Sequence, residues 1–216
     1  GPCALLDNMT VGTIWTWVSS TNVTTGRRVY QKGVVGTDST TVNLTIRDTN
    51  NGDIAFTYQR ATTSLTVRSN ASLITAAAWN FTCVVWDEAG TNADQILYRG
   101  SLTVAATAPG SYASQVVGSG SHPTDAAAAA IVGNKANDGN PMTGSMGTIQ
   151  IWNRRLSAAE IVSQQFRPRT SSGCVMFMRL GLSGTGTQLD RSGNGNTGAV
   201  TGATNGADVP LGPVFG

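Results

Sequence analysis

The chain has few side chains that could act as acids or bases, because it contains only two glutamates, Glu88 and Glu160. Hydrolysis of a glycosidic bond needs two carboxyl groups held at a fixed separation beside that bond. Glu160 follows Ser157 at the spacing S-x-x-E, where its carboxylate is expected to cap the start of a helix. Asp87 directly precedes Glu88, and neighbouring residues of a strand point to opposite faces. The sequence therefore predicts no catalytic carboxylate pair.

Nucleophilic catalysis is the next chemistry to consider, because the only histidine, His122, lies among serines in the segment Gly118–Thr124, just before Asp125. A serine nucleophile needs a histidine base and a carboxylate that orients this base. Here all three groups would belong to one loop, and the G-x-S-x-G turn is missing. A single histidine in such a loop is more often solvated. We therefore predict that His122 is exposed and that the protein is not an enzyme.

Two turns carry clusters of oxygen-bearing side chains, which are the ligands that calcium prefers. The first contains Asp48, Asn50, Asn51 and Asp53, and the second contains Asp190, Asn194 and Asn196. The first turn resembles half of a calcium-binding loop but lacks the bidentate glutamate expected further on. The alternative is that these residues hydrogen-bond to the backbone of their own turns. Asp48, Asn50 and Asp53 are the candidate ligands for Ca²⁺, which is the only cofactor that the sequence indicates.

Sugar binding would need an aromatic ring beside side chains that hydrogen-bond to hydroxyl groups. The candidate rings are Tyr112, Tyr98, Trp86 and Trp152. For the tryptophans, packing in the core is the favoured alternative. Tyr112 lies in the segment 105–125, which is rich in Ala, Gly and Ser and is predicted to be an exposed loop. We therefore predict a ligand-binding role for Tyr112, with Tyr98 and Trp86 as further candidates.

Strands must position these side chains, because most of the chain shows the two-residue hydrophobic period of half-buried strands. In the segment 146–152, Ile149 and Ile151 point one way and Trp152 points the other. The same period groups Trp15 with Trp17, and groups Trp79, Phe81, Cys83 and Val85. Further strands are predicted at 29–35, 40–47, 54–59, 64–68, 95–102, 131–134, 175–180 and 199–201. A single short helix begins after Ser157 and ends before Pro168.

Two patches of the sequence resemble a known family. One is the pattern G-x-I-x-x-x-x-I-W-N-R-x-L-S-x-x-E-I within Gly144–Phe166, read here as Gly144, Met146 (at the first Ile position), Ile151, Trp152, Asn153, Arg154, Leu156, Ser157, Glu160 and Ile161. The other is D-x-S-G-N-G-N-x-G-x-V-x-G at 190–202. Both resemble laminin-G-like domains of the concanavalin A-like family. The resemblance implies an all-β, two-sheet antiparallel jelly-roll sandwich with one short helix near Ser157–Phe166.

The same resemblance implies a single domain over residues 1–216, with an extended tail at 208–216. The strand that usually precedes the first one in such domains is missing, which would leave an open sheet edge for a partner chain. Glycosidases of this fold present their carboxylates as E-x-D-x-x-E on a strand, and the chain lacks that motif. The fold itself hosts lectins, adhesion modules, enzymes and structural coats, so it does not define the function.

Composition excludes several classes of partner. Charged residues make up 12% of the chain and its net charge is +2, which is too little to indicate nucleic-acid binding or a membrane surface. Apolar runs stay well below the ~20 residues of a bilayer span, so we predict no membrane insertion. The three cysteines give neither a disulfide framework nor a metal spacing. Cys83 is predicted to be buried, and Cys3 and Cys174 could pair in an oxidising compartment.

These observations predict a non-catalytic, surface-displayed binding or adhesion module whose partner is a glycan or another surface ligand. The alternative is a structural virion protein, such as a capsid decoration or appendage subunit, which would contact neighbouring subunits and could form a homo-oligomer. Low charge, the scarcity of lysine and glutamate, and the open sheet edge suit the repeated contacts with neighbouring subunits that this alternative requires. Either way, the predicted location is extracellular or on the surface of a particle.

Overall fold

The computed structural model describes residues 4–23, 26–33, 42–47, 52–70, 72–126, 128–134, 140–180 and 186–204. Most of these residues form strands: β1 Val11–Ser20, β2 Arg27–Lys32, β3 Val42–Arg47, β4 Asp53–Tyr58, β5 Leu65–Ser69, β6 Asn80–Asp87, β7 Ile96–Ser101, β8 Tyr112–Val116, β9 Ala130–Val132, β10 Gly144–Trp152, β11 Cys174–Arg179, β12 Thr187–Gln188 and β13 Gly198–Ala199. The helix α1 spans Ala158–Phe166, and short 3₁₀ turns cover Ala4–Leu6 and Asn92–Asp94. None of the described helices is long and apolar enough to cross a membrane.

The strands form two large antiparallel sheets, as predicted. One sheet has five strands in the order β11-β10-β1-β6-β7, and the other has six in the order β8-β5-β4-β3-β2-β9. The long strand β1 is central in the first sheet, where Trp15 lies opposite Gln150 on one side and Cys83 on the other. Strand β3 pairs with β4, as the predicted hairpin requires, with Ile46 opposite Ile54. The all-β sandwich class is thereby confirmed.

The main core lies between the two sheets and is built from alternate residues of each strand. Its buried side chains include Ile14, Val18, Val84, Trp86, Ile149 and Ile151 from the five-stranded sheet, and Tyr30, Leu44, Ile46, Phe56, Tyr58 and Val67 from the six-stranded sheet. Burying one such side chain contributes about 1.5–3 kcal/mol. The period of two in the sequence therefore predicted the inward residues correctly, including the pair Ile149 and Ile151.

A second core covers the opposite face of the five-stranded sheet. Its members are Trp15, Trp17, Phe81, Cys83, Val85, Tyr98, Ala106, Trp152, Leu156, Ile161, Cys174 and Phe177. Helix α1 lies over this face and buries Ile161 against it. The five-stranded sheet is thus covered on both faces, which explains why the tryptophans predicted on one side of β1 and β10 are almost fully buried.

The start of α1 has the predicted capping box. The Ser157 hydroxyl accepts the N–H of Glu160 at 3.3 Å, and the Glu160 carboxylate accepts the N–H of Ser157 at 2.8 Å. Arg154 donates to the same carboxylate at 2.7 Å. The hydrogen bonds from Arg154 and Ser157 lower the pKa of Glu160 to about 2. Glu160 is therefore a structural residue, as expected from its position in the motif.

Other expectations have mixed outcomes. The segment 105–125 is not a continuous loop, because it contains the edge strand β8. Cys83 is fully buried as predicted, and burial raises the pKa of its thiol. Cys174 carries a free, buried thiol, whereas Cys3 lies outside the described residues. The tail 208–216 also lies outside them.

Candidate functional site

Trp86 is a core residue and offers no surface to a ligand. Its side chain is 1% exposed and packs against the Phe56 ring at a centroid distance of 5.0 Å. Its indole also lies directly against the backbone of Gly12. Because a stacking platform needs an open ring face, the proposed ligand-binding role of Trp86 is not compatible with the structure. The inward direction of this position on β6 is the physical reason.

Tyr98 and Tyr112 are also engaged within the fold. Tyr98 is 8% exposed in the second core, and burial raises the pKa of its hydroxyl. The Tyr112 hydroxyl accepts the N–H of Leu97 at 3.2 Å and thereby connects β8 to β7, which belongs to the other sheet. Tyr112 is half-buried in a strand, so the expectation of an exposed ring in a polar loop was wrong. Tyr112 lies near Tyr98, but Tyr98 belongs to the second core and Trp86 to the main core on the other face of the sheet, so the three predicted residues do not form one site.

Exposed aromatic rings are lacking throughout the described part of the chain. Every described Trp, Tyr and Phe side chain is at least partly buried, and the exposed large hydrophobic residues are aliphatic: Leu5, Leu102, Val104, Val116, Val117 and Leu189. Trp79, Tyr112 and Phe166 keep a partly exposed side chain, and the other described aromatic side chains are buried. A binding site on this surface would therefore rely mainly on hydrogen bonds.

The first predicted calcium turn is only partly described. Asp53 is buried and forms an ion pair with Arg68 through Oδ2, while its Oδ1 accepts no hydrogen bond. Asp48 and Asn50 lie outside the described residues. Asp53 thus has one oxygen that a cation could use, although the neighbouring guanidinium opposes a second positive charge. Within the described residues, no group of three His, Cys, Asp or Glu side chains is placed to hold a metal ion.

The second predicted calcium turn uses its side chains for hydrogen bonds to the backbone. The Asp190 carboxylate accepts the N–H groups of Phe177, Ser192 and Asn196, each at 2.9 Å. The Asn196 amide donates to the carbonyl of Val175 at 2.6 Å. Burial raises the pKa of Asp190, but these hydrogen bonds outweigh it and hold the pKa below its usual value. The turn-stabilising alternative accounts for all of these contacts.

His122 lies in a buried polar cluster that closes one end of the sandwich. Its ring is 7% exposed and stacks on Tyr58 at a centroid distance of 4.4 Å. Nδ1 lies 3.1 Å from the carbonyl of Gln59, and Nε2 lies 3.9 Å from Oδ2 of Asp125. The prediction of a solvated histidine was wrong, because the loop folds back over β4. The sequence gives no signal for this contact between residues more than sixty positions apart.

The cluster extends from Tyr58 to the end of β6. The Tyr58 hydroxyl donates to Glu88 Oε2 at 2.9 Å, and Glu88 forms an ion pair with Arg60 at 3.3 Å. Burial, followed by the hydrogen bond to Glu88, raises the pKa of Tyr58. Among the contacts described for His122, none is with a hydroxyl group that could act as a nucleophile. These contacts link β4 and the end of β6 to the loop that carries His122, and they do not form a catalytic triad.

The charge of His122 is expected to make the stability of the fold depend on pH. Burial lowers the pKa of His122, but the Asp125 carboxylate, the Gln59 carbonyl and Glu88 outweigh it and raise the pKa above 6.5. The protonated ring therefore stabilises the fold below pH 6.5, and this contribution is lost as the pH rises through the raised pKa. His122→Phe is expected to flatten the stability profile there, as measured by urea unfolding at a series of pH values. If the free energy of unfolding changes with pH equally in both proteins, His122 is not the group responsible for this pH dependence.

The face of the six-stranded sheet that points away from the core carries two rows of mainly polar side chains. The register aligns Gln31, Asn43, Thr57 and Thr66 in one row, and Arg28, Thr45, Arg68 and Ser114 in the next, with Ala55 between Thr45 and Arg68. We call these eight polar residues the polar face. Their sequence signal is the polar half of each alternating strand, but only the register shows which residues are neighbours.

Part of the polar face is already linked by hydrogen bonds. Arg28 donates to the Thr45 hydroxyl at 3.2 Å, and Thr45 donates to the Asn43 side-chain oxygen at 2.7 Å. Asn43, Thr45, Thr57, Thr66, Arg68 and Ser114 are half-buried, so their polar atoms remain near the surface. Hydroxyl, amide and guanidinium groups at this spacing can donate and accept hydrogen bonds across a flat ligand.

Gln31 is the unusual member of the polar face. Its side chain is 0% exposed, and neither Nε2 nor Oε1 has a hydrogen-bond partner. Among the described residues it is the only amide for which both atoms are buried and unpaired. An unsatisfied buried polar group costs about 1–3 kcal/mol, and native proteins contain few of them. A fully unpaired amide therefore requires an explanation.

Two packed antiparallel sheets with one helix are consistent with a concanavalin A-like sandwich, and sequence comparison agrees. The profile of the Laminin_G_3 family, from the concanavalin A-like lectin/glucanases superfamily, matches residues 2–162. The chain belongs to this family. None of the curated proteins shows a significant match to it.

Several solved structures have the same fold at low sequence identity. A candidate carbohydrate-binding protein of Bacteroides ovatus is 14% identical, with a TM-score of 0.58, and the match covers 89% of this chain and 53% of that protein. The enzymatically active domain of bacteriophage CBA120 tailspike protein 2 is 10% identical, with a TM-score of 0.56, over 81% of this chain and 27% of the tailspike. The CBM40 module of the Ruminococcus gnavus IT-sialidase is 17% identical, with a TM-score of 0.50, and the match covers 72% of this chain and 82% of that module.

Proposed function

We propose that the chain is a non-catalytic, surface-displayed module that binds glycans through the polar face. The observation that carries the proposal is the buried amide of Gln31, which lacks a partner for both its donor and its acceptor. A sugar hydroxyl can donate one hydrogen bond and accept another, so it would satisfy both atoms. The cost of the unpaired amide in the free protein is then recovered when the glycan binds.

The dimensions of the polar face suit an extended ligand. Neighbouring strands lie about 4.8 Å apart, so the row that crosses four strands from Gln31 to Thr66 is about 14 Å long. Asn43 lies next to Gln31 in the row and is half-buried. Thr57 and Thr66 are half-buried and can contact glycan hydroxyls directly. Gln31 is 0% exposed in the free protein, so its amide would pair with a hydroxyl only after the side chains that cover it move aside on binding. Binding mainly by hydrogen bonds is consistent with the lack of exposed aromatic rings among the described residues.

The solved structures support a glycan-binding function but do not define the ligand. Of the three proteins described above, one is a candidate carbohydrate-binding protein and another is the CBM40 module of a sialidase. Their identity to this chain is below one fifth, so the shared property is the fold. A secreted or particle-surface location follows from the proposed function. Calcium binding at Asp48, Asn50 and Asp53 remains a separate prediction, for which Ca²⁺ calorimetry is the direct measurement.

Replacing Gln31 with leucine tests the proposal directly. The variant removes an unpaired amide, so the free energy of unfolding is expected to stay constant or to rise by about 1 kcal/mol. Loss of two hydrogen bonds to the sugar is expected to weaken binding by at least about tenfold. The ligand is first identified on a glycan array, and both proteins are then compared by titration calorimetry and urea unfolding.

Gln150→Leu is the matched control, because Gln150 is also a buried glutamine but belongs to the covered face of the other sheet. Its amide donates to the carbonyl of Arg169 at 3.1 Å. This control is expected to lose stability and to keep the affinity for the glycan. A folded protein without any signal on the array, or a Gln31→Leu variant that binds as well as the parent, would rule out the polar face as the site.

A structural role in a virus-like particle is the second candidate, because two exposed aliphatic side chains are presented on a fixed loop. Leu102 and Val104 are 39% and 59% exposed. The buried Gln165 side chain accepts and donates three hydrogen bonds that hold the backbone of this loop. In this case the chain would self-associate in sedimentation experiments, and Val104→Ser would reduce the association. A monomer at all concentrations would count against this role.

A further inference from the structure

A lysine is buried at the end of the sandwich where β2 finishes, directly after Gln31 but with its side chain on the opposite face of the strand, so its role does not rest on the proposed glycan binding. Lys32 is 0% exposed. Its Nζ donates hydrogen bonds to the backbone carbonyls of Asp125 at 3.0 Å and Ala128 at 2.9 Å. The carboxylate of Asp7 lies even closer, with Oδ1 2.7 Å from Nζ. A buried lysine normally needs such a carboxylate to offset the loss of hydration.

The contact between Lys32 and Asp7 is short, but it is not an aligned hydrogen bond. Oδ1 of Asp7 is inaccessible to solvent and has no hydrogen-bond partner, although Nζ lies 2.7 Å from it. The distance is suitable for a hydrogen bond, so the angles are what depart from the required geometry. Because Nζ lies 2.7 Å from Oδ1, the carboxyl carbon bonded to this oxygen lies at most about 4 Å from the nitrogen.

A second carboxylate completes the cluster and is held rigidly. Asp125 is fully buried, and its Oδ1 lies 3.9 Å from Nζ of Lys32. The same oxygen accepts the N–H of Asn8 at 2.6 Å, and the side-chain oxygen of Asn8 accepts the N–H of Asp125 at 3.1 Å. These reciprocal bonds fix the segment that carries Asp7 against the loop that carries Asp125.

We propose that Lys32 and Asp7 condense to form an intramolecular isopeptide bond, with Asp125 as the proton carrier. The Lys32 ammonium passes one proton to Asp125, and the nitrogen lone pair attacks Cγ of Asp7. The C–N bond forms, and one C–O bond of Asp7 breaks. The proton on Asp125 and a second proton from the nitrogen join the leaving oxygen, which departs as water. The products are a neutral amide, one water molecule and Asp125 in its initial state.

Burial and fixed geometry favour this reaction over that of the same pair in water. Removing an ammonium and a carboxylate from water penalises both ions, and condensation replaces them with an uncharged amide. Holding the two groups together is equivalent to an effective concentration of about 10⁵–10⁸ M. The distance from Asp125 to Nζ is longer than a hydrogen bond, and such contacts often shorten in the reacting state.

The bond would connect two parts of the sandwich that otherwise meet through side chains. Asp7 precedes β1 of the five-stranded sheet, whereas Lys32 ends β2 of the six-stranded sheet. The amide keeps one N–H, which either the Asp125 or the Ala128 carbonyl can accept. A covalent link at this place would prevent the two sheets from separating fully at this end when the protein is denatured.

Intact-mass spectrometry of the denatured, reduced full chain tests the proposal. The expected mass is lower than the mass calculated from the sequence by one water molecule. Digestion is then expected to give one branched peptide that contains both Lys32 and Asp7, identified by fragmentation. A folded protein with the full calculated mass overturns the proposal. A water loss located within a single linear peptide, as an aspartyl succinimide would give, also overturns it.

Two variants test the roles of Lys32 and Asp7 in the proposed reaction. Lys32→Arg cannot form the amide and is expected to show the full calculated mass. Asp7→Asn offers ammonia as the leaving group, so its mass is expected to be lower than its own calculated mass by one ammonia molecule. A water loss that persists in folded Lys32→Arg shows that another group reacts. Circular dichroism confirms that each variant has kept the β-sandwich before its mass is interpreted.

Discussion

Replacing Gln165 with alanine is expected to lower the free energy of unfolding by about 3–5 kcal/mol, because one buried and two partly buried backbone groups lose their partner. Gln165 is 0% exposed in helix α1. Its amide donates to the carbonyls of Ser101 at 2.8 Å and Val104 at 2.9 Å, and its oxygen accepts the N–H of Ala106 at 2.6 Å. Urea unfolding followed by circular dichroism measures the change.

The neighbouring glutamine provides the matched control for this experiment. Gln164 is 4% exposed, and its side-chain oxygen accepts the N–H of Arg169 at 3.0 Å. Gln164→Ala is expected to cost only about 1–2 kcal/mol. If both variants lose the same amount, then Gln165 does not hold the 101–106 loop. The close packing of Gly100 against Gln165 predicts that Gly100→Ala is also destabilising, since a Cβ there would lie 2.5 Å from Nε2.

Replacing Trp15 with alanine is the second prediction, with an expected loss of about 3–5 kcal/mol. Trp15 is 0% exposed at the centre of the second core. Its ring contacts Phe81 at a centroid distance of 5.3 Å and Trp152 at 6.2 Å. Truncation removes both ring contacts and leaves a cavity under helix α1, which the surrounding strands can fill only in part.

Trp79→Ala is the comparison for this cavity. Trp79 packs against the same core but is only partly buried, so its removal is expected to cost about half as much. Both free energies come from urea unfolding at one pH. A Trp15→Ala variant as stable as the parent would mean that the second core does not contribute to folding, and that α1 is held by its other contacts.

The alternating pattern predicted the core, because strand period is a local property of the chain. Ile149 and Ile151 pack between the sheets, and Trp15 and Trp17 pack under the helix, as expected from their spacing. The capping box of Ser157 and Glu160 is also local and was predicted correctly. Strand β8 was missed, because its residues include Ala and Ser, and an edge strand draws its stability from pairing with β5.

The functional residues were harder to predict, because they depend on contacts between distant parts of the chain. Burial of His122 requires its loop to fold over Tyr58, and no property of the loop itself encodes this. The polar face requires the register of β2, β3, β4, β5 and β8, which the sequence of any single strand does not determine. Aromatic residues were expected at the surface by analogy with sugar platforms, but in this chain they pack in the two cores.

The two sheets differ in a way that matters for protein engineering. Helix α1 and the 101–106 loop cover the outward side of the five-stranded sheet, so substitutions there disturb a core. The half-buried residues Asn43, Thr57 and Thr66 stand on three adjacent strands of the other sheet. Randomising these positions would create a library of recognition surfaces on an unchanged scaffold, from which binders for new targets could be selected.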